Sequence, residues 1–188
     1  MSQSPAITPK PERAQNDPFV DLREDGVIVD AYGGNYVDVE PKHSDVQFQA
    51  SMNEERIVHF VIRTVLPNNE RHPYFARHRV SELARRAIEY FDQSGGVRGI
   101  QFDWGKPPTE TPVDRSDNYK GYIDARNTLA TQVEYDEAKR AAVRETWTYR
   151  HIAEPLHFTR IGQVDELGSD MLNPTTVTGV ILRTPSED

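Results

Sequence analysis

The sequence predicts a mixed α/β domain built around one central mixed sheet. Between residues 26 and 66, four β-rich runs follow one another with only turn signals between them, which is typical of an antiparallel meander. A helical stripe of apolar residues then lies between two apolar strands, and a crossover of that length makes the two strands parallel. A further helix and two more strands are predicted to close the chain.

The first 18 residues are predicted to form a flexible tail. They hold four prolines among Ser, Gln, Asn and charged residues, and this composition buries too little apolar surface to offset the entropy of ordering. Residues 19–188 are long enough for one domain with a substantial core and short for two, so we predict a single α/β domain after the tail.

The meander is predicted from turn signals and from alternating polarity. The four runs cover residues 26–32, 35–40, 44–52 and 55–66. In the fourth run every second residue is apolar or Thr, so this strand should bury one face, made by Val58, Phe60, Ile62, Thr64 and Leu66. His59 falls on the opposite face of the same strand.

A strand, helix and strand follow the meander. Pro73 suits the first turn of a helix, and Gly95-Gly96 suits its end. The apolar positions between them recur with helical spacing at Val80, Leu83, Ala84, Ala87, Ile88 and Phe91. The run "VRGIQFDW", residues 97–104, then predicts a strand that lies parallel to the fourth strand and is reached by a right-handed crossover.

The C-terminal part is predicted to hold two helices and two strands. Residues 105–115 contain three prolines and form a loop, after which Ser116 or Asp117 caps a short helix. A longer helix begins at a capping box over residues 131–134 and ends before Pro155, whose ring would clash with the helix backbone. The last strands are predicted over residues 158–164 and 175–184.

Composition narrows the function classes. Lys and Arg number 22 against 30 Asp and Glu, and the formal net charge of -8 argues against general nucleic-acid binding. A small anionic ligand or a protein partner stays compatible with it. The chain has no cysteine, which excludes disulfides and thiolate metal sites. Without an apolar leader or a membrane-length apolar stretch, we expect a cytoplasmic protein, with specialised export left open.

A basic segment at the start of the central helix is the candidate anion site. Backbone N–H groups and the helix dipole favour an anion at a helix N-terminus, and guanidinium groups bind phosphate in a bidentate way. The cofactor-binding candidates are Arg71, Arg77, His78 and Arg79. The alternative is a solvated helix face on which Glu82 and Glu89 pair with Arg85 and Arg86.

Two residues are candidates for catalysis. Asp103 lies at the end of the predicted parallel strand, beside Trp104, and ligands in open α/β sheets gather at the carboxyl ends of strands. The alternative is that Asp103 caps a loop. Tyr149 lies near the end of the late helix and is a candidate general acid, with a plain core position as the alternative. The six histidines show neither an HExxH motif nor cysteine partners, so we predict no metal site.

The order of elements resembles the core of the GNAT acyltransferase superfamily from about Val27 to Arg183. The resemblance implies an acyl-coenzyme A dependent N-acyltransferase. In that family a loop before the helix holds the pyrophosphate of coenzyme A with its amides; the corresponding stretch here, "ERHPYFARHRV", has no glycine, and Arg77 and Arg79 would supply side-chain donors instead. The late helix of the family reads N-x-x-A-x-x-x-Y-x-x-x-G-F, and aligned on Phe158 those positions hold Thr146, Tyr149, Ala153 and His157.

Two other function classes stay open at the level of sequence. One is a non-catalytic acidic interaction module, such as an immunity or adaptor protein. The other is a small toxin or effector that acts on nucleotides. The position of the arginines at the helix that would bind the cofactor favours the acyltransferase.

Overall fold

The prediction of a mixed α/β fold is confirmed. The computed structural model describes residues 17–41, 46–63, 72–75, 77–106, 117–168 and 174–184. Its strands are β1 Ile28–Tyr32, β2 Tyr36–Glu40, β3 Gln47–Met52, β4 Ile57–Arg63, β5 Gly99–Gly105, β6 Phe158–Leu167 and β7 Thr176–Arg183. Its α-helices are α1 Val20–Glu24, α2 Arg77–Asp92, α3 Asp117–Leu129 and α4 Tyr135–Val143. Residues 1–16 of the predicted tail, and Arg71, lie outside the described residues.

The seven strands form one sheet in the order β1-β2-β3-β4-β5-β7-β6. The first four strands pair in sequence and antiparallel, as predicted for the meander. β4 and β5 pair in parallel, which confirms the strand, helix, strand unit. β7 lies between β5 and β6 and is antiparallel to both. The parallel pair therefore sits in the middle of the sheet.

The described helices pack on one face of this sheet, which we call the covered face. Apolar side chains alternate along the strands and point to it, as Val37 and Val39 of β2 do with no exposed surface. α2 contributes the predicted stripe, since Leu83, Ala84, Ala87 and Phe91 are fully buried and Ile88 nearly so. The other face, called the open face, carries the intervening residues, for example Asp38 and Gln49.

The longer C-terminal helix was predicted wrongly. Instead of one helix from residue 131 to 154, the chain forms α4, a turn, a π-helical segment at Tyr149–Ala153 and a short 3-10 turn at Glu154–Leu156. Buried Thr146 explains the break, because its hydroxyl donates to the Val143 carbonyl at 2.6 Å and accepts from the Tyr149 amide at 3.3 Å. The capping box is also absent: α4 begins after Glu134, and the Thr131 hydroxyl donates to the Thr128 carbonyl.

Two further boundaries differ from the prediction. Pro73 begins a short 3-10 turn, Pro73–Phe75, and α2 itself begins at Arg77. The segment before β1 forms α1, which the sequence pattern did not indicate. Arg86 of α2 binds this region, donating to the Pro18 carbonyl at 2.9 Å and to the Asp21 carboxylate at 2.9 Å. The last residue of the predicted tail therefore contacts the domain.

Candidate functional site

The two parallel strands separate at their carboxyl ends. β4 and β5 pair at only three positions, and the last of them joins His59 to Gln101. Beyond it, β4 stays paired with β3 as far as Arg63, and β5 stays paired with β7 as far as Gly105. No pairing between Phe60–Arg63 and Phe102–Gly105 is found in the part of the chain that the structure describes. We call this opening the split.

Backbone groups of both strands point into the split. The Asn53 backbone amide donates to the Ile57 carbonyl at 3.1 Å, so the backbone groups of odd-numbered residues of β4 bond to β3. The backbone groups of even-numbered residues, including Ile62, therefore face β5. The Lys106 backbone amide donates to the Thr175 carbonyl at 2.8 Å, so even-numbered residues of β5 bond to β7. By the same alternation the backbone groups of Asp103 and Gly105 face β4. The split is thus bordered by amide and carbonyl groups that have no partner strand among the described residues.

The two sides of the split differ in character. On the covered face Phe102 and Trp104 stack with ring centroids 4.2 Å apart, and both are buried. Phe60 is only half-buried and Ile62 is 37% exposed, although alternation predicted that both are buried. The side chains of Phe60 and Ile62 therefore line the split on the covered face, and we call them the apolar wall.

The N-terminus of α2 lies at the same end of the sheet as the split. A crossover helix runs antiparallel to its two strands, so it begins where the first strand ends. Arg77 opens the helix, and the side chains of Arg77 and His78 lie outside the described part of the structure. The Arg79 guanidinium lies 3.2 Å from the Glu82 carboxylate and 5.2 Å from the centre of the Tyr74 ring. Its side chain is 30% exposed, so one face of it meets solvent.

Arg85 and Arg86, further along α2, pair with glutamates of the same helix, as the alternative interpretation of a solvated helix face expects. Arg85 pairs with Glu89, one turn along the helix. Arg86 is only 14% exposed and donates to Glu82 at 2.6 Å as well as to Asp21. The Arg86 guanidinium lowers the pKa of the Asp21 carboxyl through this hydrogen bond. Arg86 thus fixes α1 to α2 and Arg85 pairs along α2, which accounts for their positive charge without a ligand.

The two predicted catalytic residues do not share a face of the sheet. Asp103 alternates with buried Phe102 and Trp104, so its exposed carboxylate lies on the open face beside the split. Tyr149 is 5% exposed and belongs to the core on the covered face, in the π-helical segment that packs against α2. The sheet separates the two side chains, and they form no direct pair.

A buried polar cluster on the covered face was missed by the sequence analysis. Glu166 of β6 accepts hydrogen bonds from the Tyr122 hydroxyl at 2.8 Å and from the Tyr135 hydroxyl at 2.5 Å. Its carboxylate also lies 3.1 Å from Nε of Arg126, whose side chain is 1% exposed. Because these residues come from α3, α4 and β6, no local spacing pattern relates them; Tyr122 and Arg126, one turn apart on α3, were the available signal.

The cluster holds its tyrosines in the neutral form. Burial raises the pKa of Tyr122, and the hydrogen bond to Glu166 raises it further. The same two causes raise the pKa of Tyr135 to about 12. With its oxygens engaged by two hydroxyls and a guanidinium, Glu166 is suited to fixing α3 and α4 against β6. It is poorly suited to accepting a proton from a substrate.

An open polar groove of about 670 Å³ lies next to this cluster, between α4 and β6. The Lys139 ammonium in it donates to the Val164 carbonyl at 3.1 Å and pairs with Asp136 at 2.7 Å. Its cationic group is therefore already satisfied within the chain.

No group of three or more His, Cys, Asp or Glu side chains that could hold a metal ion occurs among the residues described. None of the described helices has the length and apolar character needed to cross a membrane.

Comparison with known proteins gives no relative. No protein-family model matches this chain, and no curated protein or solved structure matches it either.

Proposed function

We propose that the chain is an acyl-coenzyme A dependent N-acyltransferase that binds its acyl donor in the split between β4 and β5. The split is the observation that carries this proposal. Two parallel strands in the middle of a sheet stop pairing while each keeps its outer neighbour, and the backbone groups of Ile62, Asp103 and Gly105 then face no partner strand among the described residues. An extended ligand with amide groups could fill that space as a strand would.

Coenzyme A has the chemistry that such a space requires. Its pantetheine arm is extended and carries two amide groups, which can exchange hydrogen bonds with the backbone of both strands. The apolar wall of Phe60 and Ile62 offers contact for the methylene groups and for the acyl chain. The bound donor would supply an activated thioester carbonyl to an attacking amine.

The phosphate groups of the donor would lie at the N-terminus of α2. The first N–H groups of a helix have no intrahelical acceptor, and the dipole adds positive potential there. The proposal assigns the side-chain contacts with the phosphates to Arg71, Arg77, His78 and Arg79, which precede or open α2 in the sequence. Arg79 would turn its exposed side from Glu82 toward the phosphate, and a charge-assisted contact to phosphate is strong enough to offset the loss of a partly exposed ion pair.

The backbone after the π-helical segment also supports the likeness to the GNAT superfamily. His157 has a φ of 63°, in the left-handed region that favours glycine. It stands immediately before Phe158, at the position where the late helix of that family has its glycine. The chain therefore makes the same kind of turn into β6 without the glycine.

In this proposal the acceptor amine approaches from the open face. Asp103 is exposed there beside the split and would accept the proton that the amine loses as it forms the new amide bond. Tyr149 keeps the role predicted for it, as the acid that protonates the departing thiolate from the covered face. The proposal rests here on Tyr149 belonging to the core on the covered face, the face on which Phe60 and Ile62 also lie.

Calorimetric titration tests the proposal. Coenzyme A, acetyl-coenzyme A and ATP are titrated into the wild-type protein and into the Arg77→Gln/Arg79→Gln double variant. Loss of two charge-assisted contacts, at roughly 1.5 to 3 kcal/mol each, should weaken coenzyme A binding at least about tenfold. Arg85→Gln/Arg144→Gln is the matched control, because it removes the same charge from exposed positions and should change affinity less than about twofold.

Two results would contradict the proposal. One is the absence of binding by the wild-type protein at millimolar coenzyme A. The other is ATP binding as tight as coenzyme A binding, which would show that the pantetheine arm finds no site in the split.

A further inference from the structure

The two edges of the sheet carry the same kind of contact. β1 and β6 are the edge strands. An edge strand presents N–H and C=O groups that have no partner strand and can pair with another chain. On each edge of this sheet, a cationic side chain from a neighbouring helix donates to a strand carbonyl that points outward. Neither contact has a part in the proposed binding of the acyl donor.

At the β1 edge the cation is Arg23 of α1. The Met52 backbone amide donates to the Asn35 carbonyl at 2.8 Å, so odd-numbered residues of β2 bond to β3. Even-numbered residues of β1 then bond to β2, and the backbone groups of Val29 face outward. Arg23 donates through Nε to the Val29 carbonyl at 3.1 Å, and its guanidinium also pairs with Asp17. Arg23 therefore lies where an added strand would have to pair.

At the β6 edge the cation is Lys139 of α4. Odd-numbered residues of β7 bond to β5, so the backbone groups of Thr178 face β6. Asp165 pairs with Thr178, which leaves the backbone groups of Val164 facing outward. The Lys139 ammonium donates to the Val164 carbonyl at 3.1 Å and pairs with Asp136 at 2.7 Å. Its side chain is only 17% exposed, so the contact is held in place by the surrounding residues.

A bulge adds to the obstruction at the β6 edge. Between Ile161 and Val164, β6 has one residue more than β7 has between Ile181 and Gly179. A bulge bends its strand and interrupts the regular ladder, and it is one of the features by which edge strands avoid pairing. A strand that adds to β6 would have to displace Lys139 and also follow this bend.

We propose that Arg23 and Lys139, which we call the edge caps, prevent strand addition at β1 and β6 and so keep copies of the chain from associating through their sheets. The strand that Lys139 excludes is β6 of a second copy, because two identical edges can pair symmetrically and form a closed dimer. The polar groove between α4 and β6 is then the space that such a strand would enter. This inference does not depend on the acyltransferase proposal, since it uses the outer strands and not the split.

Substitution of Lys139 tests the cap at β6. Lys139→Met keeps the length of the side chain and removes the donor, whereas Lys139→Arg keeps a donor. Lys120→Met is the matched control, because it makes the same substitution on α3 and also breaks an ion pair, to Asp124 at 2.6 Å. Sedimentation velocity over a concentration series measures self-association, and circular dichroism checks that each variant is folded. We expect Lys139→Met to self-associate at least about tenfold more tightly than wild type, and the other two variants to stay within about twofold of it.

Hydrogen exchange locates the new contact. The backbone amides of Val164 and Glu166 face the β6 edge, so they should gain protection when Lys139→Met associates. The amide of Ala31, at the β1 edge, should not. A folded Lys139→Met that stays monomeric, or one that associates without protection of Val164 and Glu166, would overturn the proposal. The wild type gives a test that needs no variant: protection of these two amides that rises with protein concentration would mean that Lys139 does not block the edge.

The double variant Arg23→Met/Lys139→Met tests both edges together. One open edge allows a closed dimer, whereas two open edges let each copy pair on both sides and form longer assemblies. Size-exclusion chromatography should therefore show dimers for Lys139→Met and species larger than dimers for the double variant. Assemblies of the same size in both would overturn the role of Arg23 at β1.

Discussion

Replacing Glu166 with Gln should destabilise the domain severely. Arg126 is 1% exposed and Glu166 is 9% exposed, so the substitution leaves a buried guanidinium without the carboxylate that lies 3.1 Å from its Nε atom. Removing one partner of a buried ion pair costs about 3 to 5 kcal/mol, because the remaining charge stays desolvated. That is a large part of the 5 to 15 kcal/mol by which a domain of ordinary stability is folded.

Urea denaturation, followed by tryptophan fluorescence, measures this cost. Trp104 lies 6.2 Å from the Tyr122 ring and reports on the region of the cluster. With a slope of about 2 kcal/mol per molar urea, the midpoint should fall by roughly 1.5 to 2.5 M. Glu137→Gln on the exposed surface of α4 is the control and should stay within about 0.5 kcal/mol of wild type. A cost below about 1 kcal/mol for Glu166→Gln would refute the reasoning, since the pair would then contribute as a solvated one does.

Two further predictions concern the core and the pH dependence of stability. Phe91→Ala should cost roughly 3 to 5 kcal/mol in the same urea measurement, because Phe91 of α2 is fully buried over the sheet; a near-neutral effect would mean that α2 does not pack there. The raised pKa of Tyr135 contributes stability that is fully present below the unfolded pKa of 10.0 and is lost as the pH rises through about 12, so unfolding free energy should decline across this range. The decline should be smaller in Tyr135→Phe, and an identical decline would contradict the role of this hydroxyl; Tyr122 is expected to account for the part that remains.

The fold was largely predictable because its strongest signals are local. The meander follows from alternation and turn residues, and α2 follows from a stripe of helical spacing, so neither depends on distant contacts. The long C-terminal helix failed for a tertiary reason. Thr146 is fully buried and its hydroxyl bonds to nearby backbone groups, which helix propensity along residues 131–154 does not indicate.

The candidate site was predictable only in part. The parallel pairing of β4 and β5 and the position of Asp103 at the strand end follow from the crossover and from alternation. The split itself does not, because it depends on how far two strands remain paired after His59 and Gln101. The Glu166 cluster was equally hidden, since its members are brought together by the packing of α3 and α4 on the edge strand.

The central claim is that coenzyme A lies in the split. The backbone amide chemical shifts of isotope-labelled protein, measured by NMR, test this claim most directly. Titration with coenzyme A should shift the amides of Ile62, Asp103 and Gly105 most, because these groups point into the space between β4 and β5. Amides at the outer strands, such as Val29 of β1, should change little. Shifts that are largest at Lys139 and Gln163, in the groove between α4 and β6, or no shifts at all, would contradict the claim.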